Sequence, residues 1–462
     1  MGCEWRRVQV SDVCELIVDC VNKTAPISPV PTAYKMIRTP NIKNGRVSTI
    51  GCRFVVKETF DKWTRRASVQ VNDVLLTREA PLGEVGIVTT EENIFLGQRI
   101  MQYRADSSVL DPHFLLYSFL SPDLQHQFSM HEGSGSVVSH IRVGDCSKFE
   151  INLPPLKEQQ KIVEILKNVD KKVALNRQIN QTLEQMAQTL FKSWFVDFDP
   201  VIDNALDAIA NGQNIEIPES LAKRFEARKA VRESEGFEPL PADIRQLFPC
   251  EFEESELGFV PKGWEIDSLS SIANYGKNRI SVSELTLENY ISTENMLTEK
   301  KGISSAAKLP TVNSVPAYSG GNVLISNIRP YFKKIWMARG DGGYSNDVLG
   351  FEAKDENTEA YLFNLLYQDS FFDYMMTTSK GSKMPRGDKK AIMDLKIVIP
   401  PVTLRMFYSQ KVAEFYESSH LRQLENKSLI ELRDTLLPKL ISGELRLDSP
   451  QGEALQQAVS AE

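Results

Sequence analysis

Cationic side chains lie next to small polar residues in two segments of each half of this chain, a combination suited to binding phosphate. Small residues let backbone N–H groups approach an anion, while arginine and lysine neutralise its charge and can hydrogen-bond to base edges. One segment is a glycine- and serine-rich loop, and the other follows a short predicted strand. For any single residue, a solvated basic loop is an equally good explanation. The candidate DNA-contacting residues are Thr77, Arg78, Ser134, Ser136, His140, Arg142, Arg329, Tyr331, Lys333, Lys334, Lys380, Ser382, Lys383, Arg386, Lys389 and Lys390.

Catalytic and metal-binding signatures are missing from the sequence. There is no GxxxxGK[ST] phosphate loop, no GxGxxG after a strand, no HExxH and no GxSxG. The five histidines have no ligand spacing, and the six cysteines form no CxxC pair. The sequence therefore predicts a non-catalytic protein with no metal and no cofactor of its own. Scattered thiols, no signal peptide and no membrane-length apolar run predict a cytoplasmic location without membrane contact.

The elements that must position the candidate residues occur twice, because the chain is an internal repeat. A shift of 246 residues aligns LPPLKEQ at residue 153 with IPPVTLR at residue 399, and the same shift aligns Asn180 with Asn426. Shifts of 249 and 259 residues align DVLLTREAP with NVLISNIRP and Trp5 with Trp264. These ordered matches indicate two copies of one unit, each a globular block followed by a long helix.

The first long helix is predicted from a heptad pattern over residues 153–198. An ordinary helical bundle would account for this stretch alone equally well, but the repeat favours a partner helix within the chain. Buried amides in the middle of such a seam fix its register at some cost in stability. The seam positions are Ile162, Leu166, Val169, Val173, Asn176, Asn180, Leu183, Ala187, Leu190 and Trp194.

The second seam is weaker than the first. Asn426, Leu429, Leu436 and Leu440 continue it, whereas Ser419, Arg422 and Arg433 interrupt it and Pro438 is expected to bend or end the helix. Two long helices that each follow a globular block bury both stripes best when they pack antiparallel. The predicted fold class is therefore α+β, with two globular α+β blocks separated by an antiparallel coiled coil and related by a two-fold pseudo-repeat.

The expected domain boundaries follow from the repeat and from the charge distribution. Residues 196–260 carry 15 acidic and 6 basic side chains, so most of the net charge of −7 lies in a connecting segment. The two blocks are near neutral, which neither requires nor excludes a basic face. The boundaries are 1–152 for the first block, 153–198 for the first helix, 199–260 for the connecting segment, 261–398 for the second block, 399–446 for the second helix and 447–462 for a flexible tail.

Three motifs resemble the specificity subunits of type I restriction-modification systems. They are LPPLKEQQKIVEIL followed by NQTLEQMAQTLFKSWFVDFDPV, then SELGFVPKGWE, then LRDTLLPKLISGEL. The resemblance covers nearly the whole chain in order. It implies two target recognition domains, each reading one half of a bipartite, asymmetric DNA sequence, with the coiled coil setting the unread gap.

The same resemblance implies particular partners and a division of chemistry. Double-stranded DNA, two modification subunits and, in some systems, restriction subunits would bind this chain. S-adenosylmethionine would belong to the modification subunits, which methylate adenine, and ATP and magnesium to the restriction subunits. The alternative from another class is a two-headed protein-binding scaffold without DNA readout, which near-neutral blocks mildly favour. A methyltransferase fused to its own recognition domain is disfavoured by the missing cofactor motifs.

Overall fold

The computed structural model describes residues 5–131, 140–381 and 383–452, which divide into two compact units. The first unit comprises residues 1–177 and 423–462, and the second comprises residues 178–422. Each long helix contributes residues to both units. The described residues are α+β, as predicted, with β-sheets, shorter helices and two helices of 40 and 41 residues.

The first unit contains the strands and helices of the first globular block and the start of the first long helix. Their bounds are β1 (Arg6–Gln9), β2 (Cys14–Asp19), β3 (Tyr34–Ile37), β4 (Ile42–Lys43), β5 (Gly45–Val47), β6 (Arg53–Val55), α1 (Lys57–Thr64), β7 (Val74–Arg78), β8 (Leu82–Ile87), β9 (Asn93–Leu96), β10 (Ile100–Ala105), α2 (Pro112–Leu120), α3 (Pro122–Ser129), β11 (Glu150–Leu153) and α4 (Leu156–Phe195). The sheets have the orders β2-β10-β7-β8-β5-β4, β6-β3-β9 and β1-β11.

The second unit contains the connecting segment, the second block and the start of the second long helix. Their bounds are α5 (Asp199–Ala210), α6 (Ala222–Arg232), α7 (Ala242–Arg245), β12 (Phe252–Ser255), β13 (Gly258–Pro261), β14 (Glu265–Ser268), β15 (Ala273–Tyr275), β16 (Arg279–Ser281), β17 (Tyr290–Ile291), β18 (Ser314–Tyr318), β19 (Val323–Ser326), β20 (Ile335–Met337), β21 (Gly342–Tyr344), β22 (Val348–Ala353), α8 (Glu359–Tyr367), α9 (Asp369–Thr377), α10 (Lys389–Met393), β23 (Lys396–Ile399) and α11 (Val402–Ser442). The sheets have the orders β15-β22-β19-β20, β16-β18-β21-β17, β12-β13 and β14-β23.

The sequence repeat is visible in the strand order of each unit. The aligned segments form β7 and β19, and each is central in its sheet. The neighbours of β7 are β10 and β8, and those of β19 are β22 and β20, all antiparallel. The aromatic run after these strands forms two helices in each copy. In the first copy they are separated by extended backbone at Ser121, because a residue before proline avoids the α region. In the second copy they are separated by extended backbone at Gln368.

In the first unit, the start of α4 packs against the end of α11. Ile162 and Leu166 share a buried cluster with Leu436 and Leu440. Further along α4, Asn176 contacts Asn426, which lies earlier in α11. Residue numbers increase along α4 where they decrease along α11, so the two helices are antiparallel in this unit.

In the second unit, the end of α4 packs against the start of α11 and on the second block. The Tyr408 hydroxyl donates to the carbonyl of Ala187 (3.0 Å), and the ring of Trp194 stacks on that of Phe407 at 6.2 Å. Both helices bury apolar side chains in one core with the sheet β15-β22-β19-β20 and α8. Packing of each long helix on a block rigidly positions the block's loops.

One local expectation differs from the structure. Helix α11 continues through Pro438 to Ser442 rather than ending there. The carbonyl that loses its N–H donor to this proline belongs to Asp434, an exposed residue whose backbone water can solvate.

The connecting segment forms three α-helices and a hairpin. Arg228 links two of these helices by donating to both carboxylate oxygens of Asp203 (2.9 and 2.6 Å).

Candidate nucleic-acid interface

In the second unit, the two predicted phosphate-binding segments lie side by side. We call residues 327–334 and 378–390 together the second loop pair. The Arg329 N–H donates to the carbonyl of Pro385 (2.8 Å), and the Gly387 N–H donates to that of Asn327 (3.3 Å). Lys380 and Arg386 exchange backbone hydrogen bonds of 2.9 and 3.0 Å, which closes the 378–390 segment into a hairpin-like loop. Nine of the ten candidate residues of this half therefore belong to one region, and the tenth, Ser382, lies outside the described residues.

The five cations of the 378–390 segment fall into two groups according to their acidic partners. Lys380 pairs with Asp388 (2.6 Å), and Arg386 pairs with Asp347 (3.1 Å). The second group has exposed side chains without an acidic partner among the described residues: Lys383, Lys389 and Lys390. These three ammonium groups are available to an external anion without breaking an internal pair.

Asp388 organises the segment that carries these cations. Its carboxylate accepts from the N–H groups of Lys390 and Ala391 (3.0 and 3.3 Å) and so caps the N-terminus of α10. The hydrogen bond from Lys380, followed by those two backbone donors, lowers the pKa of Asp388. The cap fixes the backbone from which Lys389 and Lys390 project.

The other segment of the second loop pair, residues 327–334, is held by salt bridges and contains two residues with strained backbone. Asp369 accepts from Lys300 (2.7 Å) and pairs with Lys333 (3.0 Å), and these bonds lower the pKa of Asp369. Arg329 and Lys333 have φ angles of 51° and 48°, in the left-handed region that non-glycine residues seldom adopt. Such strain, held in place by surrounding contacts, is concentrated at functional sites.

Two more candidates in this segment, Lys334 and Tyr331, differ in the accessibility of their polar groups. The Lys334 ammonium donates to the carbonyl of Thr293 (2.6 Å), and its burial lowers the pKa of Lys334. Tyr331 is exposed and lies against Phe332, with ring centroids 4.7 Å apart. Tyr331 therefore offers an aromatic face and a hydroxyl at the surface, whereas Lys334 is engaged internally.

In the first unit, the corresponding segments are also joined. We call residues 78–81 and 140–145 together the first loop pair. The Ile141 N–H donates to the carbonyl of Arg78 (3.0 Å), and the Arg78 guanidinium donates back to the carbonyl of Ile141 (3.0 Å). Ala80 has a φ of 50° and aligns with Arg329 in the repeat, so the same backbone strain recurs after the matched strand.

The candidates of the first unit are placed less uniformly. Thr77 is fully buried, and its hydroxyl accepts from the Glu84 N–H (2.9 Å), so it ties β7 to β8 rather than facing outward. Arg142 is exposed and His140 is half-buried. Ser134 and Ser136 lie outside the described residues. Arg78 and Arg142 are therefore the cationic candidates that border this loop pair.

Several residues that organise the loop pairs were missed by sequence reasoning. Asp347, Asp369 and Asp388 pair with candidate cations but are scattered in the sequence. Only Asp388 had a usable signal, since an aspartate directly before a helix is a common N-cap. Asn327 is buried at the base of the second loop pair, and its side-chain Oδ1 has no hydrogen-bond partner among the described residues.

The positions of the predicted helix seam are buried or half-buried within each unit. In the first unit, Asn176 is almost fully buried and donates to Glu425 Oε2 (2.7 Å) and Asn426 Oδ1 (3.1 Å). Arg433, expected to interrupt the seam, pairs with Asp170 (3.0 Å). The buried seam positions are Ile162, Leu166, Val169, Val173, Asn176, Ala187, Trp194, Asn426, Leu436 and Leu440, and the half-buried ones are Asn180, Leu183, Leu190 and Leu429.

Within residues 5–131, 140–381 and 383–452, no three His, Cys, Asp or Glu side chains are grouped so that they could hold a metal ion. No helix in those ranges is both long and apolar enough to cross a membrane.

Comparison with known proteins identifies similar chains. Residues 3–185 match the family model described as the type I restriction modification DNA specificity domain. The type I restriction enzyme HindI specificity subunit of Haemophilus influenzae is 26% identical over 77% of this chain and 82% of its own length. The MjaIX specificity subunit of Methanocaldococcus jannaschii is 25% identical over 81% of this chain and 78% of its own length.

A solved structure has the same fold over nearly the full length. It is the S subunit of a type I restriction-modification system from M. genitalium, with a TM-score of 0.51 and 15% identity. The match covers 95% of this chain and 96% of that one. At this identity the similarity concerns the fold: two β-rich blocks and two long packed helices.

Proposed function

Because this chain belongs to the family of type I restriction-modification DNA specificity subunits, we propose that its two globular blocks each bind one half of a bipartite, asymmetric DNA target. A specificity subunit is the non-catalytic component of such a system. The observation that carries the proposal is the recurrence of one architecture in both units. In each, the end of a central strand or the loop that follows it is hydrogen-bonded to a second loop that bears cationic candidates.

Differences between the loop pairs support an asymmetric target. The second loop pair carries three exposed lysines without an acidic partner among the described residues, an exposed tyrosine and three cations paired with aspartates. The first loop pair is bordered by two arginines, one of which is bound to a backbone carbonyl. Arginine and lysine can read guanine edges as well as bind phosphate, so different sets at repeat-equivalent places suit different half-sites.

The long helices are proposed to set the distance between half-sites and to dock two modification subunits. An internal repeat offers two similar surfaces, as two copies of one partner require. The modification subunits would bring S-adenosylmethionine to an adenine flipped out of each half-site. Restriction subunits, where present, would use ATP and magnesium. All three of these cofactors would be held by the partners.

Modified-base sequencing of genomic DNA from the native host tests this function, with the gene intact and with the gene deleted. We expect adenine methylation at one split, asymmetric motif in the first strain and its loss in the second. Complementation by the intact gene should restore methylation at the same motif. Identical methylation in all strains, together with salt-independent binding of the purified chain to duplex DNA, would contradict the proposal and favour a protein scaffold.

A further inference from the structure

Each block contains a short hairpin that lies outside the aligned motifs. In the first unit it consists of β4 and β5, where Ile42 pairs with Val47. In the second unit Met296 pairs with Ile303 through an antiparallel bridge. We call residues 42–47 the first hairpin and residues 296–303 the second hairpin. Both hairpins precede the central strand of their block in the chain.

A buried asparagine fixes the base of each hairpin in the same way. Asn41 Oδ1 accepts from the Arg38 N–H (3.0 Å), and its Nδ2 donates to the carbonyl of Ile50 (3.1 Å). Asn295 also bonds the backbone before and after its hairpin, through Oδ1 (2.6 Å) and Nδ2 (2.8 Å). A buried amide with both of its polar atoms bonded holds the chain ends of the hairpin together. The recurrence of this arrangement indicates that the hairpin belongs to the architecture of both blocks.

Each hairpin is attached to the loop pair of its own block. The hydroxyl of Thr39, which precedes the first hairpin, donates to the carbonyl of Ala80 in the first loop pair (3.0 Å). In the second unit, the N–H groups of Glu299 and Lys300 donate to two consecutive carbonyls of the second loop pair (both 2.9 Å). A long ligand such as duplex DNA that contacts a loop pair therefore has the neighbouring hairpin within reach.

Two cations face one another across the first hairpin. Lys43 and Arg46 are directly opposite in the strand register, joined by a tight turn at Asn44 and Gly45, whose φ angles are 52° and 77°. Both cations are exposed, and neither forms a salt bridge within the described ranges. The Glu84 carboxylate accepts from the Asn44 N–H (3.4 Å). Like charges directly opposite on paired strands destabilise a hairpin, so a bound anion such as phosphate would remove a repulsion that the fold leaves in place.

The second hairpin does not offer the same pair of cations. The Lys300 ammonium donates to Asp369 (2.7 Å) and lies 4.4 Å from the ring centroid of Tyr367. Lys301 is exposed, but so is the carboxylate-bearing Glu299 of the same tip. One lysine is thus used internally, and the charge of the other is offset nearby. The second hairpin therefore braces its loop pair, whereas the first one presents unbalanced positive charge.

We propose that the first hairpin is a third DNA-contacting element, in which Lys43 and Arg46 bind backbone phosphates of the half-site at the first unit. The inference rests on the proposed function and adds a site to it. Arg142 is exposed at the first loop pair, whereas the Arg78 guanidinium is bonded to a carbonyl. The hairpin supplies the charge that this loop pair lacks, while exposed lysines of the loop pair supply it in the second unit. A two-stranded ribbon also has the width that a DNA groove admits.

Fluorescence anisotropy of the full chain with a labelled duplex at several salt concentrations tests the inference. Lys43→Ala with Arg46→Ala should reduce the magnitude of the slope of log Kobs against log[salt] by about 1.8, because two phosphate contacts are lost. Lys43→Arg with Arg46→Lys keeps both charges and should retain the wild-type slope. The matched control is Lys62→Ala with Arg65→Ala, two exposed cations at the end of α1 in the same block, which should leave the slope unchanged.

The outcomes separate this inference from the proposed function. A wild-type slope in the hairpin variant, or an equal loss in the control, would overturn the inference and leave DNA binding by the chain intact. A wild-type chain whose DNA binding does not depend on salt would contradict both. Removal of two facing cations relieves repulsion, so the hairpin variant should unfold at a temperature no lower than the wild type. A lower thermal midpoint together with a reduced slope would mean that the cations support the fold, and would overturn the assignment.

Discussion

Removing the three unpaired lysines of the second loop pair should reduce the salt dependence of DNA binding by a predictable amount. Lys383, Lys389 and Lys390 are exposed and have no acidic partner among the described residues, so each can contact a phosphate without breaking an internal salt bridge. Each neutralised phosphate contributes a slope of about −0.9 to log Kobs against log[salt]. The triple alanine variant should therefore lose about 2.7 from the magnitude of that slope if all three lysines contact duplex DNA.

The same arithmetic sets an upper bound for the loss of affinity. At about 0.15 M salt, a slope change of about 2.7 corresponds to roughly two orders of magnitude in Kobs, or about 3 kcal/mol. The measured loss should be smaller, because free lysine side chains are themselves hydrated and mobile in the unbound protein. Lys380→Ala should change the slope less than any of the three, since Asp388 already balances that charge.

Fluorescence anisotropy with a labelled duplex, titrated at several salt concentrations, measures the slope without knowledge of the target sequence. A matched control removes three exposed lysines from helices of the second unit, through Lys223→Ala, Lys229→Ala and Lys411→Ala. This variant has the same net charge as the first one. An equal change of slope in both variants would mean that overall charge, not the loop pair, governs binding, and the interface assignment would be refuted.

Three further changes test the elements that support the site. Asn176→Ala should destabilise the paired helices by about 1–3 kcal/mol because it leaves the Asn426 amide without its partner. Replacing both Asn176 and Asn426 by leucine should recover most of this loss, because neither amide of the pair is then left alone. Hydrogen exchange of the helices measures both variants, and additive effects would contradict the coupling. The lysine partners of Asp369 lower its pKa, so its ion pairs stabilise the loop fully at a pH above the ordinary aspartate pKa. This stabilisation should be lost as the pH falls through the lowered pKa. Hydrogen exchange of the loop measured during an acid titration should show the loss, and Asp369→Asn should abolish this pH dependence. Gly387→Ala would place a Cβ 2.8 Å from Asn327 Oδ1, so it should shift the second loop pair. We expect weaker DNA binding and an unchanged thermal midpoint of unfolding. A variant with wild-type affinity for DNA would show that the loops tolerate the shift.

Much of the architecture was predictable because it depends on periodic patterns. The repeat, the α+β class and the two long helices follow from apolar spacing and from aligned motifs, which are local or nearly local properties of a sequence. Arg433 and Pro438 show the limit of such patterns. Arg433 interrupts the apolar spacing, yet it forms a salt bridge with Asp170 of the other long helix. Pro438 lies within a helix because the carbonyl that it leaves without an N–H donor belongs to an exposed residue.

The candidate interface was predictable as two pairs of segments but not as an arrangement. Chemical type identified Lys383, Lys389 and Lys390 equally well as Lys380, although only Lys380 is neutralised by a nearby carboxylate. Thr77 was selected by its position after a strand-like run, yet β7 is central in its sheet and buries that side chain. Burial and ion pairing depend on neighbours distant in the chain, so composition and spacing cannot reveal them.

By itself the sequence determined that this protein has two copies of one unit, that each copy ends in a long amphipathic helix, and which loops carry cations. Those properties depend on the types of side chain and on the spacing at which they recur, and both can be read directly from the sequence. Only the tertiary structure decided that the two loops of each copy are hydrogen-bonded to one another, and which of their cations have an acidic partner among the described residues. Long-range backbone hydrogen bonds and salt bridges bring these groups together, and they form only when the chain is folded.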